Sequence, residues 1–250
     1  MLIVIALTSG QFIVSAEITS NKVLATSLAS IAAKPHPLPP TLAQWQDDQS
    51  DDYFSQVKLT EVGYLVWSQF PIKVYIKQPQ GHNSTDQAKK WFNSVLRAVQ
   101  EWNVYLPLVV VEKSAGADIT IERSRPPLTL SPDNTPQARS AETRYELYIS
   151  KAIPSVLSHR CTILLSPNQT NNYVQAAARH ELGHALGIWG HSPVSTDALY
   201  FSQVRNPLPI SARDINTLKT VYQQPTKLGW ALSKSKVKSQ KSKSQNLLVS

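Results

Sequence analysis

Hydrophobic and polar positions change period several times along this chain, and each period predicts a different element. Between 70 and 77, Phe70-Pro71-Ile72-Lys73-Val74-Tyr75-Ile76-Lys77 alternates as a half-buried strand does. From about 85 to 105 the repeat lengthens: Trp91, Val95, Val99 and Trp102 recur at the spacing of one buried helix face. Leu108-Val109-Val110-Val111-Glu112 and Ala117-Asp118-Ile119-Thr120-Ile121 read as the next two strands. Residues 126–137 are a Pro/Ser-rich loop, and 145–149 and 161–165 are further strand-like runs. A second helix is expected from about 172 to 186. A last one follows Ser211 as N-cap, with Ile215, Leu218 and Val221 turned inward. Strands that alternate with helices and then give way to them make an α+β domain.

The remaining segments divide the chain. Residues 1–16 open with Met1-Leu2-Ile3-Val4-Ile5-Ala6-Leu7 and close with Val14-Ser15-Ala16, the form of an expected signal peptide with a small-residue cleavage site. No Lys or Arg precedes its apolar run, and Thr8-Ser9-Gly10 interrupts it, so stable membrane insertion is not expected. Export to the cell envelope, the periplasm or the medium is. Residues 17–62 read as a leader or pro-segment. Lys34-Pro35-His36-Pro37-Leu38-Pro39-Pro40 should be extended throughout, and the acidic run Asp47-Asp48-Gln49-Ser50-Asp51-Asp52 should be a solvated loop. Residues 63–226 form the expected catalytic domain, and 227–250 a disordered Lys/Ser-rich tail.

Composition narrows the functions open to such a domain. The formal charge is +8, but six lysines and no acid fall after residue 226, leaving about +2 (8 − 6) for the rest. No basic face for nucleic acid is expected, and the cationic tail is separable from core activity. The one cysteine, Cys161, excludes a disulfide framework and a cysteine–zinc cluster; within its apolar run it should be a buried, inert thiol.

The chemistry is concentrated in His180-Glu181-Leu182-Gly183-His184-Ala185-Leu186-Gly187-Ile188-Trp189-Gly190-His191-Ser192. Histidines at i and i+4 lie about 40° apart on a helix, so both imidazoles reach one metal ion. Glu181 beside them suits a general base for a metal-activated water. On a continuous helix His191 would lie about 10 Å along the axis from His184, so the chain must turn back, and Gly187 supplies the residue best able to do so. At this chain's His and Glu frequencies the bare five-residue motif arises by chance in about 0.5% of such chains; the correctly placed glycine lowers that to about 0.01–0.02%, which favours the metal site. Gly183 is placed for close helix packing. Asp197, in the turn downstream, is the other candidate for third ligand. No EF-hand or Gly-rich acidic loop is present, so one Zn²⁺ is the only metal expected.

This run resembles the metzincin clan of zinc endopeptidases, His-Glu-x-x-His-x-x-Gly-x-x-His, and within it the matrixin-like branch; it is similar to predicted matrixin-like proteases of cyanobacteria. The resemblance extends over about 63–225 through the strand, long-helix, strand, strand order. It implies an α+β metzincin-like domain with a twisted mixed sheet, a long helix, an active-site helix and a C-terminal helix. It also implies Zn²⁺ held by His180, His184 and His191, Glu181 as catalytic base, and polypeptide substrates cleaved by a monomer. Two departures stand out. The stretch from Gly187 to His191 is one residue longer than the clan's pattern, with Gly190 available to absorb a bulge. The clan's methionine under the metal is replaced by Leu199 in Asp197-Ala198-Leu199-Tyr200. The same departures suit the alternative function, a catalytically silent peptide-binding module. An acidic residue of 47–52 is the remaining candidate for occupying the metal in a latent form.

Overall fold

The computed structural model describes residues 31–46, 49–79, 81, 84–130, 133–151, 153–202 and 207–232. The expected signal peptide, residues 17–30 of the leader, Asp47, Asp48 and the Lys/Ser-rich sequence from 233 lie outside the described residues. Among those described, no helix is long and apolar enough to cross a membrane.

The domain is α+β, built on a five-stranded mixed sheet. Strand β1 (Ile72–Ile76) buries Ile72, Val74 and Ile76 in the alternation the sequence predicts. It pairs in parallel with β2 (Leu108–Val111) on one side and β3 (Ile119–Arg123) on the other. Parallel neighbours need a crossover, and α2 (Asp86–Trp102) provides it between β1 and β2. Thr85 caps α2, accepting from the Ala88 amide, and its buried face carries Trp91, Val95, Val99 and Trp102. The helix ends three residues before the expected 105, because Pro107 disfavours helical backbone at Leu106, and Asn103 Oδ1 instead accepts from the Leu108 amide at 2.7 Å.

Strand β7 (Leu157–Leu165) runs parallel to β3 and antiparallel to β6 (Ala141–Ile149), giving the order β2-β1-β3-β7-β6 with β6 at the edge. Both strands begin four residues earlier than their apolar runs suggest, because the β6–β7 pairing continues from Ala141↔Leu165 to Ile149↔Leu157. A two-strand ribbon, β4 (Thr129–Leu130) with β5 (Pro136–Gln137), occupies the expected Pro/Ser-rich loop. Helix α3 (Asn171–Leu186) packs across the sheet, and α4 (Ala212–Tyr222) closes the chain-terminal side. The Ser211 cap is a full capping box with Asp214, and Ile215, Leu218 and Val221 are fully buried in the same core as Leu182 and Leu186 of α3.

The described residues of 31–62 are packed into the domain too, Leu42, Tyr53 and Val57 in this core and Ile31 and Val62 in a smaller one with Leu65, Leu157 and Leu228. Leu42 and Val62 are fully buried and Tyr53 almost so. The proline run is extended only to Pro39; Pro40 opens a short helix, α1 (Pro40–Gln44), at the position where a missing N–H costs nothing. Beyond it the segment binds α4 through side chains: Trp45 Nε1 donates to Asn216 Oδ1 at 2.8 Å, Lys219 Nζ to Trp45 O at 2.7 Å and the Tyr53 amide to Thr217 Oγ1 at 2.9 Å. Packed chain likewise runs past the tail boundary expected at 227, with Leu228 buried, Trp230 stacked on His36 at 4.2 Å and the Leu232 amide bonded to Ser155 O. Cys161 is buried and burial pushes its thiol up to about 12, the inert state expected.

His159 faces inward from β7, stacked on Trp67 at 3.9 Å with its Nε2 unpartnered, and burial pushes it down to about 3. Its folded value lies below the unfolded one near 6.5, so its contribution to stability is complete above that pH and is lost as pH falls toward about 3. His159→Phe is expected to remove up to about 1.4 kcal/mol per pH unit from the acid slope of stability in that window, read by urea unfolding at a series of pH values.

Candidate metal centre

Helix α3 carries three of the four candidate site residues. Its last turn is closed by Gly187 at φ +134°, with the Ile188 amide reaching back to Gly183 O, and this turns the chain as the glycine's position predicts. The exposed carbonyls at this end are also occupied: Trp67 Nε1 donates to Ala185 O at 2.9 Å and Tyr222 Oη to Leu186 O at 3.0 Å. A Cβ on Gly187 would sit 2.8 Å from Leu65 O, so no other residue fits without displacement.

The turn brings His191 back beside the helix. The ring centroids of His180 and His184 lie 4.7 Å apart, and His191 is 5.2 Å and 4.8 Å from them. One ligand nitrogen from each falls within 4.8 Å of the other two, and among the described residues this is the only group of three or more that could share an ion. His191 is the exposed member.

Backbone carbonyls fix the orientation of two rings. His180 Nδ1 donates to Ala198 O at 2.9 Å and His184 Nδ1 to Ile188 O at 2.7 Å. A carbonyl accepts only, so both protons sit on Nδ1 and both Nε2 atoms present lone pairs. Those Nε2 atoms are 3.1 Å apart. Two lone pairs at that distance repel unless a cation lies between them, and tetrahedral zinc with bonds of about 2.1 Å would set its nitrogens about 3.4 Å apart. The donor set therefore fits a zinc ion. Burial, and next the neighbouring His184, push His180 down to about 4, and burial pushes His184 to about the same value. Both are neutral ligands at ordinary pH. His191 is lowered by burial and by the charge of Lys58.

Glu181 is buried beside the histidines, where its Oε2 accepts from Thr143 Oγ1 of β6 at 2.6 Å. Burial raises its carboxyl above the ordinary range, while His180 and the Thr143 hydroxyl act to lower it. Leu199 is fully buried under the site. An ideal Cβ on Gly183 would lie 2.6 Å from Leu199 Cδ2, so the glycine lets the floor residue press onto the helix between the two histidines. The floor is tied to the third histidine's loop, since the Ser192 amide donates to Leu199 O at 2.8 Å and the Phe201 amide to Ser192 O at 3.3 Å.

Asp197 has a different task from the ligand role considered for it. Its buried carboxylate accepts from Ser192 Oγ at 2.5 Å, Ser211 Oγ at 2.8 Å and Arg213 Nε at 3.1 Å, so it orients the loop, and it is His191 that joins the other two histidines. Asp52 accepts from the Phe54 amide and Thr220 Oγ1 against α4, and neither it nor Asp51 joins the histidine group. Gly190 lies outside the left-handed region; its need for glycine is steric, because an added Cβ would run into Gln56 O.

Three contributors carry no motif. Thr143 holds the glutamate from 38 residues away. Arg179 grips Glu101 of α2 with two bonds at 2.6 Å and 2.9 Å and donates to Leu208 O at 2.7 Å, fixing one wall. Asp214 braces the floor by accepting from the Ala198 amide at 2.8 Å. Of these only Asp214 left a local signal, as the fourth residue of its capping box. The site opens into a cleft of about 720 Å³ between β6 and α3, lined by Thr143, Tyr173, Tyr200 and Leu208 among others.

Neither a known protein-family profile nor a curated protein matches this chain.

His191→Ala is expected to weaken zinc binding more than about 100-fold in a chelator competition. Asp197→Asn should keep one zinc per chain by elemental analysis while lowering unfolding free energy by about 2–3 kcal/mol, because Arg213 loses its buried partner.

Proposed function

We propose that this chain is a zinc-dependent endopeptidase of metzincin-like, matrixin-type organisation, acting on extended polypeptides. The observation that carries the reading is the convergence of His180, His184 and His191 nitrogens, two of them oriented by carbonyls, next to the buried carboxylate of Glu181. His180, His184 and His191 would hold the ion through neutral imidazole nitrogens. Bound zinc would supply Lewis-acid activation of a carbonyl and of a water oxygen.

The chain's own groups account for the proton traffic. Thr143 anchors Oε2 of Glu181, leaving Oε1 to take the proton from the attacking water and return it to the leaving amine. Burial raises the Glu181 carboxyl, the direction that suits a group which must accept and then release a proton. Edge strand β6 forms one wall of the cleft and contributes Ala141, Glu142 and Thr143 to its lining. A peptide added along that edge would be held by main-chain hydrogen bonds with its scissile bond over the histidines. A silent binding module would have no use for a buried glutamate held by a hydroxyl donor, which favours the enzyme. Export, suggested by residues 1–16, belongs to the same proposal.

Glu181→Gln is expected to lower kcat/KM on a quenched peptide library by about 10²–10⁴-fold while keeping stoichiometric zinc; full activity in that variant would refute the mechanism. Thr143→Val removes a bond that favours the Glu181 carboxylate, so the acidic limb of the pH–rate profile should move to higher pH.

A further inference from the structure

We propose that residues 53–58 are a resident part of the metal centre, clamping the third histidine's loop, rather than part of a leader whose removal frees the site. This rests on the reading of the three histidines as metal ligands.

The segment grips the site at two places. The Lys58 amide donates to Trp189 O at 3.0 Å, two residues before His191. Directly after Trp189, Gly190 packs on the backbone of Gln56 and Val57, so closely that a Cβ would meet Gln56 O and come within 3.0 Å of the Val57 Cα. This contact falls on the residue pair that makes the loop one longer than the motif it resembles. The second grip is indirect. Tyr53 Oη donates to Asp214 Oδ1 at 2.5 Å, Asp214 Oδ2 accepts from the Ala198 amide at 2.8 Å, and Ala198 O accepts from His180 Nδ1 at 2.9 Å. Both the exposed ligand and one buried ligand are thus braced by the same short segment.

Its placement is that of a support and not a plug. Tyr53 and Val57 are buried against the core, and of the described residues in 31–62 only Lys58 lines the cleft. Cutting the segment away would leave Trp189 O without its donor and Asp214 without the phenol, and would expose the underside of the Gly190 turn. His191 is exposed and sits on a loop, so its ordering cost falls on metal binding unless the backbone is already held. Positioning through the backbone predicts that the side chain of Lys58 is dispensable and its amide is not.

The full-length chain tests this through metal affinity and amide exchange. Val57 has φ −82° and ψ 123°, which accommodates a following proline, and Lys58→Pro both deletes the amide donor and sets a ring carbon against Trp189 O, opening the clamp. Lys58→Pro is expected to weaken zinc binding about tenfold or more in a chromophoric chelator competition and to alter the visible spectrum of the Co²⁺-loaded protein. Lys58→Ala keeps the amide and removes only the charge that bears on His191, so it should bind zinc at least as tightly as the wild-type chain. Linkage is reciprocal, so zinc should slow exchange of the Lys58 amide in the wild-type chain by about tenfold. That measurement decides the matter if Lys58→Pro does not fold. A zinc-loaded chain whose Lys58 amide exchanges as fast as in the metal-free form overturns the inference, as does a folded Lys58→Pro with wild-type affinity. A wild-type chain that takes up no zinc would instead overturn the metal reading, and this inference with it.

Discussion

The buried carboxylate of Asp214 is the constraint on which the rest of the site depends. It accepts from Tyr53 Oη and from the amides of Ala198 and Ser211, and so joins the amino-terminal segment, the floor turn and the start of α4 at one point. Burial raises its carboxyl, and the bonds from Tyr53, Ser211 and Ala198 lower it. A charge removed from water is tolerated only where such donors replace its hydration. Those donors come from segments that meet only in the folded chain. The carboxylate therefore rewards correct assembly and penalises every partial arrangement, which is how one residue sets the position of the floor beneath the histidines.

From that floor the constraint passes to the histidine group. The Ala198 amide donates to Asp214 and the Ala198 carbonyl accepts from His180, so the backbone of one residue couples the buried acid to the His180 ring. Ile188 O does the same for His184 from within the turn that Gly187 creates. Desolvation keeps both imidazoles neutral, and the carbonyls choose which nitrogen carries the proton. The result is a pair of lone pairs facing each other at 3.1 Å, an arrangement that costs energy on its own and is relieved by a cation. A cation bound there would recover that energy, with the two carbonyls holding the rings as its outer partners.

The sheet and helices explain why this can be rigid. Trp102 Nε1 of α2 donates to Arg179 O, and Arg179 pairs with Glu101, so the long helix holds α3 immediately before its first histidine. Strand β6 approaches the other side of α3 with Thr143, which bonds both the carboxylate and the main-chain carbonyl of Glu181. His180, Glu181 and His184 thus sit on one helix fixed from two directions, while the cleft-facing edge of β6 stays open.

Much of this was legible in the sequence wherever the physics is local. The spacing of His180 and His184, the placement of Glu181 between them, the reversal at Gly187, the buried face of α2 and the Ser211 cap all depend on residues within a turn or two of one another, so their spacing alone determines their geometry. Alternation at 70–77 and short apolar runs elsewhere likewise identified the five strands of the main sheet, though not their full length, because pairing carries β6 and β7 beyond their most apolar residues; the β4–β5 ribbon lies where a loop was expected. Tertiary structure alone decided the rest: that Thr143 reaches Glu181, that Asp197 serves the loop while His191 joins the other two histidines, that Gly190 is needed for room rather than for φ, and that the described residues of 31–62 are packed into the domain. Each of these is a meeting of groups far apart in the chain. Their types are common and their spacing carries no period, so only the packing of elements against one another brings the particular donor to the particular acceptor.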